Sequence, residues 1–104
     1  MKIAIDYDEC LSLAPAHWKQ FILLFQSLGH EFICVTYRQP DCDPYELNWV
    51  SDMCPVIFTG QKAKKPFVEE LGHFVDVWID DTPNTITHDY GLHTGWKWEK
   101  ICEE

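Results

Sequence analysis

Two rhythms of apolar residues alternate along the chain. Residues 2–6 (KIAID), 31–37 (EFICVTY), 55–60 (PVIFTG) and 74–80 (FVDVWID) are short, nearly continuous apolar runs rich in β-branched and aromatic side chains, the pattern of strands buried on both faces. Between them the apolar spacing lengthens to that of helices. Residues 15–28 place Trp18, Phe21, Ile22, Phe25 and Leu28 on one helical face, with Pro15 at the start and Gly29 where a C-cap belongs. Residues 43–50 (DPYELNWV) predict a second helix, with Asp43 as N-cap, Pro44 in the first position and Glu46 completing a capping box. A third, short helix is expected over 65–72 (KPFVEELG), opened by Pro66 and closed by Gly72.

Strand and helix alternate with short connections, which forces parallel strands and right-handed crossovers. The expected class is α/β: a Rossmann-like, doubly wound, mostly parallel sheet in a three-layer sandwich, formed by one domain over residues 1–104. Beyond Asp81 the segments NTITHDY and TGWKWEKI have strand-like composition and predict one or two short edge strands. No repeat, linker or low-complexity segment interrupts the pattern.

Composition narrows the function classes. An apolar fraction of 46% with 14% aromatics argues against disorder, and no apolar run approaches the roughly 20 residues that span a bilayer. No membrane association is therefore expected. Met1 leads directly into a strand pattern, so neither a secretory nor a transit leader is expected, and a cytoplasmic location follows as the default. The net charge of −9 opposes broad electrostatic attraction to nucleic acid. The five cysteines form no CxxC pair and suit reduced thiols better than a disulfide framework. A zinc site from Cys42, Cys54 and His73 matches no common ligand spacing.

The chemistry gathers at strand ends. In a doubly wound sheet, ligands bind beyond the carboxyl ends of the strands where the strand order reverses. If the first three strands run outward and the fourth returns beside the first, the reversal carries Asp6, Asp8, Asp80 and Asp81. Four carboxylates in one crevice repel one another, and a divalent cation relieves the conflict. Magnesium accepts oxygen ligands and keeps room for a substrate phosphate oxygen, so a phosphorylated substrate is expected.

The order of these features is informative: IAIDYDEC, FICVTYR, KAKKPF and VWIDDTP follow one another across nearly the whole chain. This order resembles the haloacid dehalogenase (HAD-like) superfamily of phosphohydrolases. The resemblance implies a magnesium-dependent phosphatase in which Asp6 attacks phosphorus to form an aspartyl phosphate and Asp8 serves as general acid, then base. It further implies that Thr36 donates to a phosphoryl oxygen and that a lysine neutralises the transferring group. The metal (Mg2+) would be held by Asp6, Asp80, Asp81 and the carbonyl of Asp8. Among Lys62, Lys64 and Lys65, nearness to Pro66 favours Lys64 or Lys65 without separating them.

Two features set this chain apart within the resemblance. Cys10 stands where the family usually has Thr or Val. The spans between Asp8 and Thr36 and between Thr36 and Lys64 leave no room for a cap domain, so the crevice is expected to be open. An open crevice suits a small phosphate ester, an exposed phosphate on a larger molecule, or completion by a second copy in an oligomer. Arg38, two residues beyond Thr36, is placed to grip a second anionic group, or else is a surface arginine. Trp96 and Trp98 suit sheet cover first and flanking a base or sugar second, and His17, His30, His73, His88 and His93 are scattered as surface or structural residues. A receiver domain gathers similar residues in a different order, with an Asp ending its third strand where this chain has IFTGQ. A phosphatase-like scaffold with little or no turnover, serving as a binding or regulatory protein, is the alternative expectation.

Overall fold

Four parallel strands, β1 (Lys2–Ile5), β2 (Glu31–Thr36), β3 (Val56–Phe58) and β4 (Val77–Ile79), form a sheet in the order β3-β2-β1-β4. The computed structural model describes residues 1–40 and 44–90. The helices are α1 (Pro15–Ser27), α2 (Asn48–Ser51), α3 (Lys64–Glu70) and α4 (Asn84–Thr87), with single 3-10 turns at Leu11–Leu13 and Pro44–Leu47. Strands one to three step outward and β4 returns to the far side of β1, so the order reverses between β1 and β4.

The two-residue period of the strands explains the layers. Ile3 and Ile5 of β1, with Phe32 and Cys34 of β2, join Leu11, Ile22, Leu47 and Val50 in one core; Trp18, Phe21 and Phe25 of α1 pack against it. Ala4, Ile33 and Val35 face the other way and meet Val68 of α3, backed by Ile57, Val75 and Trp78. Helices thus cover both faces, which is why β1 and β2 read as continuous apolar runs rather than alternating ones. No helix among the described residues is long and apolar enough to cross a membrane.

Several boundaries differ from those expected. Leu28 is the C-cap of α1, not part of its buried stripe, and is 65% exposed. Gly29 follows at φ 95°, and the amides of Leu28, Gly29 and His30 close onto carbonyls of the last helical turn. Helix α3 begins at Lys64, two residues before Pro66. Pro66 fits there because the first-turn amides of a helix have no intrahelical acceptor, so the N–H it lacks is not missed. The second helical segment is a 3-10 turn followed by a single α turn, and the Glu46 carboxylate pairs with Arg38. Asp43 lies outside the described residues. Residues 84–87, expected as strand, are the short helix α4: the Thr82 and Pro83 carbonyls accept the Thr85 and Ile86 amides, so local turn bonds overrode β-propensity. The TGWKWEKI segment with Trp96 and Trp98, and His93, Cys42 and Cys102, are also outside the described residues.

Ile22 is fully buried between α1 and the sheet. Ile22→Ala is expected to cost about 2–5 kcal/mol through lost burial and the cavity left behind. Urea denaturation monitored by circular dichroism would measure it, and a loss under about 1 kcal/mol would show that this core can collapse onto the gap.

Candidate functional site at the carboxyl edge of the sheet

Pairing between β1 and β4 continues one step past the strands, where the Asp6 amide donates to the Ile79 carbonyl at 2.9 Å. That register sets Asp6 beside Asp80 across the reversal. After Asp6 the chain folds back sharply: the Cys10 and Ser12 amides both donate to the Tyr7 carbonyl, and Leu11 donates to that of Asp6. Glu9 adopts φ 65° to make the turn, an uncommon left-handed conformation for a residue with a Cβ, while its amide donates to Ser12 Oγ at 3.1 Å.

Lys64 opens α3 and reaches under the strand ends. Its Nζ donates to Asp6 Oδ1 at 2.9 Å and to Asp80 Oδ2 at 2.6 Å, and the lysine is 1% exposed. Burial alone would favour the neutral amine, but the two carboxylates outweigh it and raise the Lys64 pKa. Asp80 is held further by the Thr82 amide at 2.9 Å and the Thr85 hydroxyl at 3.2 Å. For Asp6, burial is the largest influence; it overrides the pull of Lys64 and, with repulsion from Asp80 and Asp8, brings the carboxyl up to about 7.

A second ion-pair group lies beside the first. Arg38 donates through Nε and Nη2 to both oxygens of Asp8, at 3.0 and 2.8 Å, and through Nη2 to Glu46 Oε1 at 2.7 Å. Burial works against the guanidinium charge, but these partners more than restore it and raise its pKa. The Tyr7 ring lies 5.2 Å from the guanidinium carbon, and the Tyr7 hydroxyl donates to the Glu46 carbonyl at 3.3 Å. Thr36 ends β2 and is fully buried, its hydroxyl oxygen accepting the Arg38 amide at 3.3 Å.

The structure therefore sorts the sequence candidates. Asp6, Lys64 and Asp80 form one contiguous group, and Asp8 and Arg38 form another. Lys65 is exposed and pairs with Glu69 on its own helix, and Lys62 is exposed, so Lys64 is the lysine brought to the carboxylates. Of the four candidate metal ligands, Asp6 and Asp81 come together with Cys10, one ligand atom from each lying within 4.8 Å of the others. Two carboxylate oxygens are the kind magnesium takes. The Cys10 thiol is not: burial, reinforced by the charge of Asp6, pushes it up to about 11, so it stays protonated and soft at neutral pH. The Asp80 side chain, like that of Asp6, accepts from Lys64, and the Asp8 side chain accepts from Arg38, a pairing that does not involve the Asp8 carbonyl expected to face the metal. In the zinc alternative, His73 Nδ1 lies 3.0 Å from the Lys2 ammonium, at the opposite end of β1 from Asp6.

The sequence pattern marks Glu46 only as a helix cap, and it does not mark Thr85 or Asp89. The Asp89 carboxylate accepts the Ala63 amide at 2.6 Å, just ahead of Lys64, where α3 has no side-chain cap of its own. The Tyr90 amide donates to Gln61 at 2.9 Å, and the Tyr37 hydroxyl donates to the His88 carbonyl. These bonds tie the segment after α4 to the turn that delivers Lys64. Gly60 eases that turn, because its φ is 63°, in the left-handed region that a residue without a Cβ enters freely; Gln61 beside it takes φ 71°. No local pattern links Asp89 to Ala63 or Glu46 to Arg38; only the fold brings each pair together.

No protein-family model, curated protein or solved structure matches the chain.

Because the folded Asp6 pKa lies above its unfolded value, folded protein binds an extra proton between about pH 4 and 7, so Asp6 lowers stability as pH rises through that window. In metal-free buffer, the stability of Asp6→Asn relative to wild type is expected to improve by a few kcal/mol from pH 4.5 to 8. Urea unfolding at several pH values checks this, and a pH-independent difference would contradict the buried-carboxylate account. Asp89→Ala strands the Ala63 amide and is expected to cost about 1–3 kcal/mol, whereas Asp89→Asn keeps an acceptor and is expected to lose less than half as much. Equal losses in the two variants would show that the hydrogen bond is not what matters.

Proposed function

We propose that the chain is a small, capless, haloacid dehalogenase-like phosphohydrolase of the cytoplasm, acting on phosphate monoesters with magnesium. The observation that carries this reading is the Asp6–Lys64–Asp80 group at the reversal between β1 and β4, with Asp8 and Asp81 alongside. A nucleophilic carboxylate, a cation for the transferring phosphoryl group and further carboxylates for a metal are the parts such a reaction needs.

In this mechanism an oxygen of Asp6 attacks phosphorus, and the P–O bond to the alcohol breaks as the new P–O bond forms. Asp8 gives a proton to the departing oxygen. Water then attacks the aspartyl phosphate, with Asp8 taking its proton, and inorganic phosphate leaves with Asp6 regenerated. Lys64 neutralises charge on the phosphoryl oxygens and keeps Asp6 in place. A bound magnesium ion, held by Asp6 and Asp81, would supply further charge neutralisation at the phosphoryl group. Asp8 accepts from Arg38 through both oxygens, so proton transfer requires one of them to exchange partners. That engagement, together with Cys10 in the acidic group, favours the second reading: a scaffold of this type with slow or no turnover that binds a phosphorylated ligand.

The expected result is magnesium-dependent hydrolysis of an aryl phosphate that stops with EDTA. Asp6→Asn is expected to abolish it, and Asp8→Asn to reduce kcat by roughly 100- to 10,000-fold, the range of general acid–base catalysis. Absence of magnesium-dependent release of phosphate across nucleotides, sugar phosphates and phosphorylated polynucleotide ends would overturn the enzyme reading in favour of the binding scaffold.

A further inference from the structure

Arg38 is a cation that the phosphoryl steps above leave unused. Its guanidinium carries five N–H donors in a rigid plane. The edge formed by Nε and Nη2 is filled by the two oxygens of Asp8. The other edge, Nη1 with Nη2, holds a single contact from Glu46 Oε1 at 2.7 Å, while Nη1 is buried and meets no acceptor among the described residues. Such a fork matches an oxyacid group that presents two oxygens side by side, and Glu46 occupies only one of its teeth.

The three side chains also differ in exposure in a telling order: Arg38 5%, Asp8 18% and Glu46 49%. Glu46 is the outermost partner, and its carboxylate can be rehydrated on leaving, so an exposed pair of this kind is weak. Its main chain need not move, because the Tyr7 hydroxyl holds the Glu46 carbonyl while the Tyr7 ring faces the guanidinium. A buried cation with a free donor, covered by a half-exposed carboxylate on an anchored backbone, has the form of a binding position filled by a stand-in.

We propose that Glu46 is a placeholder for a second anionic group of the substrate. The site would then take phosphate esters that carry a further carboxylate or phosphate, which displaces Glu46 and engages both Nη1 and Nη2 of Arg38. This rests on the phosphohydrolase reading, deepening it to a substrate class.

Calorimetric titration of the full chain in magnesium tests it, using phosphonoacetate, 3-phosphonopropionate and 4-phosphonobutyrate, each compared with methylphosphonate. At least one phosphonocarboxylate is expected to bind roughly 10-fold tighter than methylphosphonate, the order of a charge-assisted hydrogen-bond pair. Glu46→Gln is expected to widen that gap severalfold, and Arg38→Lys to close it. The half-exposed position of Glu46 keeps this arm informative even if Arg38→Lys fails to fold. A gap equal in wild type and Glu46→Gln would make Glu46 a structural partner only and overturn the inference. Methylphosphonate binding without any gap would likewise overturn it while sparing the phosphohydrolase reading, and failure of every ligand to bind would remove both.

Discussion

The Lys64 ammonium is the constraint on which the carboxyl edge of the sheet depends. It rises from the first turn of α3 and meets Asp6 beyond β1 and Asp80 beyond β4, the two strands that flank the reversal in strand order. Each of these three side chains is buried against a charge that another of them supplies. Removing one member of a buried ion group costs about 3–5 kcal/mol, because an uncompensated charge stays behind. The same contacts hold a helix of one outer layer against strands of the middle layer, so the position of these charged groups and the docking of α3 are a single problem solved once.

Beside that inner group stands an outer one built on Arg38, and the two divide the acidic residues between them. Seen as sequence, the spacing of Asp6 and Asp8 raises a conflict of like charges that a divalent cation would relieve. In the structure the chain's own cations relieve much of it first: Asp6 is given to Lys64 and Asp8 to Arg38. The turn at Glu9 makes this division possible by folding the chain back immediately after the second carboxylate. What is left toward solvent is Asp81, with Cys10 and Asp6 close by.

The fold was legible where one periodicity dominated. The buried runs marked the strands, α1 was clear from its aromatic stripe, and the reversal beside β1 followed only on the supposition that the fourth strand returns beside the first, which the sheet order bears out. Legibility failed where local bonds competed with composition, as at residues 84–87, where turn hydrogen bonds made a helix of a β-rich segment. At the site, residues at strand ends could be named because the end of a strand is visible in the pattern. Choosing Lys64 over Lys65 could not be done that way, since adjacent helical residues differ only in which way they point. Glu46 and Asp89 were out of reach for another reason: their partners lie 8 and 26 positions away, and long-range hydrogen bonds leave no periodic trace.

The sheet also tapers. Its outer strands β3 and β4 have three residues each, against six in β2. A short outer strand offers a foreign chain few rungs on which to pair, and an added strand would gain little before running into the loops at either end. Among the described residues, the sheet is thus a poor template for edge-to-edge pairing on either side.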